Sequence, residues 1–68
     1  MQEFQERVVE EKQELQELDE KINKLEEFIA ENETFPTLAR IEQKRLKQQL
    51  RVMQEYAGIL SKRIATFA

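Results

Sequence analysis

Two ladders of apolar residues at steps of three and four, one on each side of the chain's single proline, constrain the fold more than any other feature. In the second half, Leu46, Leu50, Met53, Ala57, Leu60, Ile64 and Phe67 follow one another without a miss, the seam of a helix packed lengthwise on another helix. The first half carries the matching seam of Met1, Phe4, Val8, Leu15, Leu18, Ile22, Leu25 and Ile29, with Glu11 in one core-facing position. Between them lies Glu33-Thr34-Phe35-Pro36, too short a connection for anything but antiparallel neighbours. The expected architecture is an all-α, coiled-coil-like two-helix hairpin that assembles into a homo-oligomeric bundle. One domain spans 1–68, with helix 1 over about 2–32, the turn over 33–36 and helix 2 over about 37–67.

Pro36 has no donor N–H and suits the first turn of the second helix, which makes Thr34 or Thr37 the expected cap. Asn32 is a tolerated residue at the exit of the first helix, and Phe28 and Phe35 are placed to close the apolar end under the turn. Within helix 1 the triplet Gln13-Glu14-Leu15 is followed at once by Gln16-Glu17-Leu18. A three-residue insertion in a heptad turns what precedes it by about 60°, which leaves Val9 outside and Glu11 inside. Glu11 then either snorkels outward or pairs across the hairpin with Lys62 or Arg63.

A chain of 68 residues with no cysteine and no histidine has neither disulfide nor zinc to staple it. At this size only about 60% of the unfolded surface is buried on folding, so a partner chain is the remaining support, and a second copy is the commonest kind. Helix 2 offers a surface for one. Beside its seam runs a second line, Leu38, Ile41, Arg45, Val52, Tyr56, Ile59 and Arg63, whose apolar members widen the hydrophobic arc beyond what one partner helix covers. Leu38, Ile41, Val52 and Ile59 are the expected oligomer contacts. Gly58 in the same helix either marks a close approach by another chain or a ligand, or is a surface glycine.

Charge is divided unevenly. Residues 1–33 hold twelve acids and four bases, net minus eight, and residues 34–68 hold two acids and seven bases, net plus five, which together give the chain's minus three. The asymmetry guides the antiparallel pairing, and it also leaves Arg40, Lys44, Lys47, Arg51 and Lys62 as a basic stripe on helix 2. Overall acidity opposes duplex nucleic acid, and the basic face carries no tryptophan and sits beside an acidic helix that anionic lipid repels. There is no apolar run long enough to span a bilayer and no signal-peptide leader, so a cytosolic protein is expected.

Catalysis has little to work with. Histidine, cysteine, a glycine-rich phosphate loop and metal-ligand spacing are all missing, and the glutamates are spread along an exposed helix, so no enzyme, metal or cofactor is expected. Binding remains. Arg45, Gln49, Val52, Tyr56, Ile59 and Arg63 lie at steps of three and four, so two guanidiniums bracket a ring and two branched side chains. Arginine forks match phosphates and a tyrosine face stacks on a nucleobase, which makes Arg45, Gln49, Tyr56 and Arg63 candidate ligands for a small anionic nucleotide held between subunits. The competing reading is that the line is an oligomer contact or docks a protein, with the arginines paired to glutamates of helix 1.

Several of these residues carry a resemblance. Phe4-Gln5-Glu6-Arg7-Val8-Val9-Glu10-Glu11-Lys12, Glu17-Leu18-Asp19-Glu20-Lys21-Ile22, Lys24-Leu25-Glu26 and Phe28-Ile29 are similar to the start of a family of short bacteriophage proteins of unassigned function, named after a relative in a crAss-like phage. Phe35, Leu38, Glu42-Gln43, Leu46, Gln49-Leu50, Met53, Tyr56, Ile59-Leu60 and Arg63-Ile64 continue it at that family's spacing. The family has a single Glu-Leu-Asp segment here, so the extra Gln-Glu-Leu is this sequence's own. The resemblance implies a phage origin, and so the cytoplasm of an infected bacterium. A looser analogy links the chain to the oligomeric helical-hairpin sponges with which phages sequester cyclic-nucleotide and related immune signals. It implies an anti-defence role and a cyclic nucleotide or related signal as partner. The entry motif with a tyrosine found in the hairpin type of those sponges is not present here.

Overall fold

A computed structural model describes residues 2–67, with side chains described from Arg7 to Phe67. Helix α1 runs Gln2–Glu31, a 3-10 turn follows at Phe35–Thr37, and helix α2 runs Arg40–Phe67. Both helices are dense in Glu, Gln, Lys and Leu and free of proline, which favours uninterrupted helix. They lie side by side in a rod of 51 × 15 × 14 Å, and there is no strand among the described residues. The expected antiparallel hairpin is the fold.

The two ladders form the contact. Ile22 and Leu60 are its buried centre, Leu60 being 0% exposed. Val8, Leu15, Leu18, Leu25 and Ile29 of α1 and Leu46, Leu50, Met53, Ala57, Ile64 and Phe67 of α2 are all partly buried along it. Two seam positions, Met1 and the side chain of Phe4, lie outside the described residues. Upstream of the tandem triplet the register continues as the sequence reads, with Val8 and Glu11 facing inward and Val9 exposed.

The turn departs from expectation. α2 begins at Arg40, three residues later than the proline suggested, because Phe35-Pro36-Thr37 closes a 3-10 turn of its own with Pro36 in its first positions. That turn forms because Phe35 is drawn inward: it is buried, its ring meets Phe28 edge-on at 6.1 Å and 78°, and Lys47 Nζ sits over it at 5.9 Å. Neither threonine caps α2. Thr34 precedes the 3-10 turn and makes no side-chain cap bond, while the Thr37 hydroxyl donates to Thr34 O at 2.6 Å.

Gln43 ties the entry of α2 instead. Its backbone N–H donates to Ala39 O at 3.0 Å, and its Nε2 donates to Leu38 O at 2.9 Å and to Pro36 O at 3.3 Å. Asn32 ends α1 with an Asx turn, its Oδ1 accepting from Thr34 N–H at 2.8 Å. Leu38 consequently sits in extended backbone (φ −71, ψ 154), half-buried, and does not extend the second line of α2.

Candidate functional site

The second line of α2 is where the hairpin leaves apolar side chains open to solvent. Val52 is 55% exposed, Ile59 54% and Tyr56 39%, and Ile41 is exposed as well. These positions flank the seam at steps of three and four, so α1 covers one arc of α2 and leaves the next to solvent. Together they form an apolar strip that one hairpin leaves open to solvent.

The polar residues of the line are placed unequally. Tyr56 Oη donates to Glu14 Oε1 of α1 at 2.5 Å, across the hairpin. That bond raises the phenol's pKa above its ordinary 10.0, because ionising the ring would break it and set two anions together. Partial desolvation and the charges of Glu14 and Glu11 push the same way, against the opposing pull of Arg63. Arg63 itself is held by Glu11 Oε1, the cross-hairpin partner that their matching heights suggested. Lys62 is not the partner of that carboxylate.

Glu11 is only partly satisfied among the described residues. Its side chain is 12% exposed, and its second oxygen, Oε2, is buried without a hydrogen-bond partner. Arg45, by contrast, is largely exposed and has only a long 3.9 Å approach to Glu42 one turn earlier. Gln49 points along its own helix, with Nε2 3.8 Å from Met53 Sδ, a weak contact. Arg45 and Arg63 are eighteen positions apart on one helix, a rise of about 27 Å, so one chain does not bring both guanidiniums to one small anion.

Elsewhere, Gln54 Nε2 donates to Glu26 Oε1 at 2.9 Å on the opposite flank of the seam. A shallow open hollow near the turn is lined by Lys24, Glu27, Phe28, Glu31 and Asn32, and it gathers none of the candidate residues. Its carboxylates outnumber its single cation, which does not suit an anion. Among the described residues no cluster of acidic side chains could hold a metal ion, and no helix is long and apolar enough to cross a membrane. A β-carbon added at Gly58 would meet nothing within 4 Å, so within one hairpin that glycine is a surface residue.

Sequence reasoning missed two contacts, one on this face and one beside the turn. Tyr56 with Glu14 joins residues forty-two apart, and only the heights of the two helices reveal it. Lys47 was placed on the solvated stripe, yet it covers the Phe35 ring.

The family model of Sequestin matches residues 2–66, nearly the whole hairpin. The chain belongs to the Sequestin family. Searches of curated proteins and of solved structures find no match to it.

Proposed function

We infer that this Sequestin-family chain is a non-catalytic sequestering protein of phage origin, acting in the cytoplasm of the infected bacterium. It works as a homo-oligomer that holds a small anionic nucleotide signal between its copies. The family match over residues 2–66 carries the reading, since the family's name denotes sequestration. The exposed line on α2 supports it: an aromatic ring and two branched side chains lie between Arg45 and Arg63, with Gln49 beside them, and one chain alone cannot bring the two arginines together. A site for an anion therefore needs more than one copy.

A thermal-shift and calorimetry screen against cyclic dinucleotides and ADP-ribose-type signals tests it. The expected result is a clear rise in Tm with at least one nucleotide and a loss of that rise in Arg45→Ala. No shift with any nucleotide sinks the reading.

The second reading is a structural or adaptor hairpin that docks a protein. It is favoured by one observation: Tyr56 and Arg63 already have partners in Glu14 and Glu11. Tyr56→Ala separates the two. Loss of nucleotide binding with the oligomer mass retained favours the site, whereas dissociation with the fold retained favours packing.

A further inference from the structure

The two arginines of the second line are held differently, and the difference comes from α1. Glu11 and Glu14, three apart on α1, reach across to Arg63 and Tyr56, seven apart on α2. The phenol has a single O–H and gives it to Glu14 Oε1 at 2.5 Å. Arg63 is engaged by Glu11, although its own side chain stays half exposed. Guanidinium forks bind carboxylates and phosphates alike, so α1 already supplies at this end the kind of group that an anionic ligand would bring. Arg45, at the other end of the line, is more exposed and has only the long 3.9 Å approach to Glu42. We propose that Glu11 and Glu14 form an autoinhibitory latch, which occupies Arg63 and Tyr56 in place of an anion and leaves Arg45 as the arginine of the line open to one.

Glu11 is the half that holds. Its side chain is 12% exposed, its Oε2 is buried without a partner, and Arg63 is the cation paired with its other oxygen. An anion that draws Arg63 away strands a largely buried charge, and removing one partner of such a pair is strongly destabilising. That cost falls on the incoming ligand, whose affinity is lowered by whatever is needed to release Glu11. Glu14 is exposed, so its hold on Tyr56 is the weaker half. One turn earlier on α1, Arg7 and Glu10 are exposed, offset each other in charge and make no ion pair with either half of the latch.

The latch rests on the proposed function in taking this line as the anion site, and it names how that site is regulated. Pyrophosphate is the test anion, since it carries the diphosphate of ADP-ribose-type signals without their bases. A failure to bind nucleotides and a failure of the latch are then read separately. Isothermal titration calorimetry compares the wild type with Glu11→Gln, Glu11→Gln/Arg63→Ala and Glu17→Gln. Glutamine keeps the size of the side chain and removes the charge that would be stranded. Glu11→Gln should bind pyrophosphate about five-fold or more tighter than the wild type, and the gain should vanish with Arg63. Glu17 carries the same charge one turn beyond Glu14 and is exposed without an ion-pair partner, so Glu17→Gln reads the general field and should tighten binding by less than about two-fold.

Unchanged or weaker binding in Glu11→Gln, no binding by that variant, an equal gain in Glu17→Gln, or a gain that survives Arg63→Ala overturns the latch. If circular dichroism shows that Glu11→Gln has lost its helices, Glu14→Gln, at an exposed site, decides in its place. It should tighten binding more than Glu17→Gln does, and no gain over that control overturns the latch equally.

Discussion

Leu60 and Ile59 are neighbours in the chain and nearly equal in size, yet one is 0% and the other 54% exposed. The difference is one step of about 100° around the helix, which carries a side chain from the inner seam to the outer line. The inner seam is complete within one chain, and it makes the hairpin. The outer line sets Val52, Tyr56 and Ile59 among polar residues, and within one chain its two branched side chains stay more than half exposed. If the copies associate through the outer line, as proposed, changes on the inner seam should alter the hairpin and changes on the outer line its association.

The largest effect is expected at the inner seam. Leu60→Ala removes the best-buried side chain and leaves a cavity costing roughly 3 kcal/mol. A single core in a chain this short rarely supplies more than about 3 to 5 kcal/mol, so the variant should lose most of its helical circular dichroism at 25 °C. A variant that keeps its helix content would show that assembly, more than the inner seam, supplies the stability.

Gly58→Ala sharpens the contrast from a third side of α2. The glycine is helical, with open space where a β-carbon would go, so alanine should raise stability by about 0.5–1 kcal/mol in chemical denaturation. Loss of stability or of oligomer mass would mean that another copy approaches at Gly58, and that the outer line is not the sole point of assembly.

Ile59→Ala should cost the isolated hairpin about 0.5 kcal/mol or less, as surface substitutions do, while weakening self-association measured by sedimentation. If it unfolds the monomer as Leu60→Ala does, the distinction between the seams fails.

Most of the hairpin is legible in the residues because a seam is periodic, and period survives without knowledge of the partner. Leu46 to Phe67 and Val8 to Ile29 fall where their spacing puts them. Glu11 with Arg63 follows from height along a hairpin of known turn, and the structure chooses Arg63 over Lys62. The turn is less legible. Pro36 fits the first turn of any helix, 3-10 or α, and what decides between them is the burial of Phe35 against Phe28, a contact across the chain reversal. Gln43 replaces the expected threonine caps for the same reason: once the 3-10 turn takes Thr37, the carbonyls of Pro36 and Leu38 come within reach of its side chain. The candidate site is legible as a line of residues but not as a set of contacts, since Glu14 reaches Tyr56 only through the relative rotation of two helices.

The subtlest expected effect lies where the two seams meet, at Tyr56. It is the chain's one tyrosine and there is no tryptophan, so its ionisation is read alone by ultraviolet absorbance. The bond to Glu14 raises the folded-state pKa above the ordinary 10.0 that the unfolded chain should show. A proton held more tightly in the folded state stabilises it fully below the unfolded value, and that contribution is lost as pH climbs through the folded one. Alkaline titration of the hairpin should therefore run above that of the urea-unfolded chain, and Glu14→Gln should move it back down by removing the charged acceptor. Salt should move it little if the direct bond dominates, and should lower it steadily if the distant acids do. A ring that titrates at its ordinary value in the folded protein would mean that Tyr56 is free of α1. The outer line would then begin at the phenol itself, with its hydroxyl available to a second copy or a ligand.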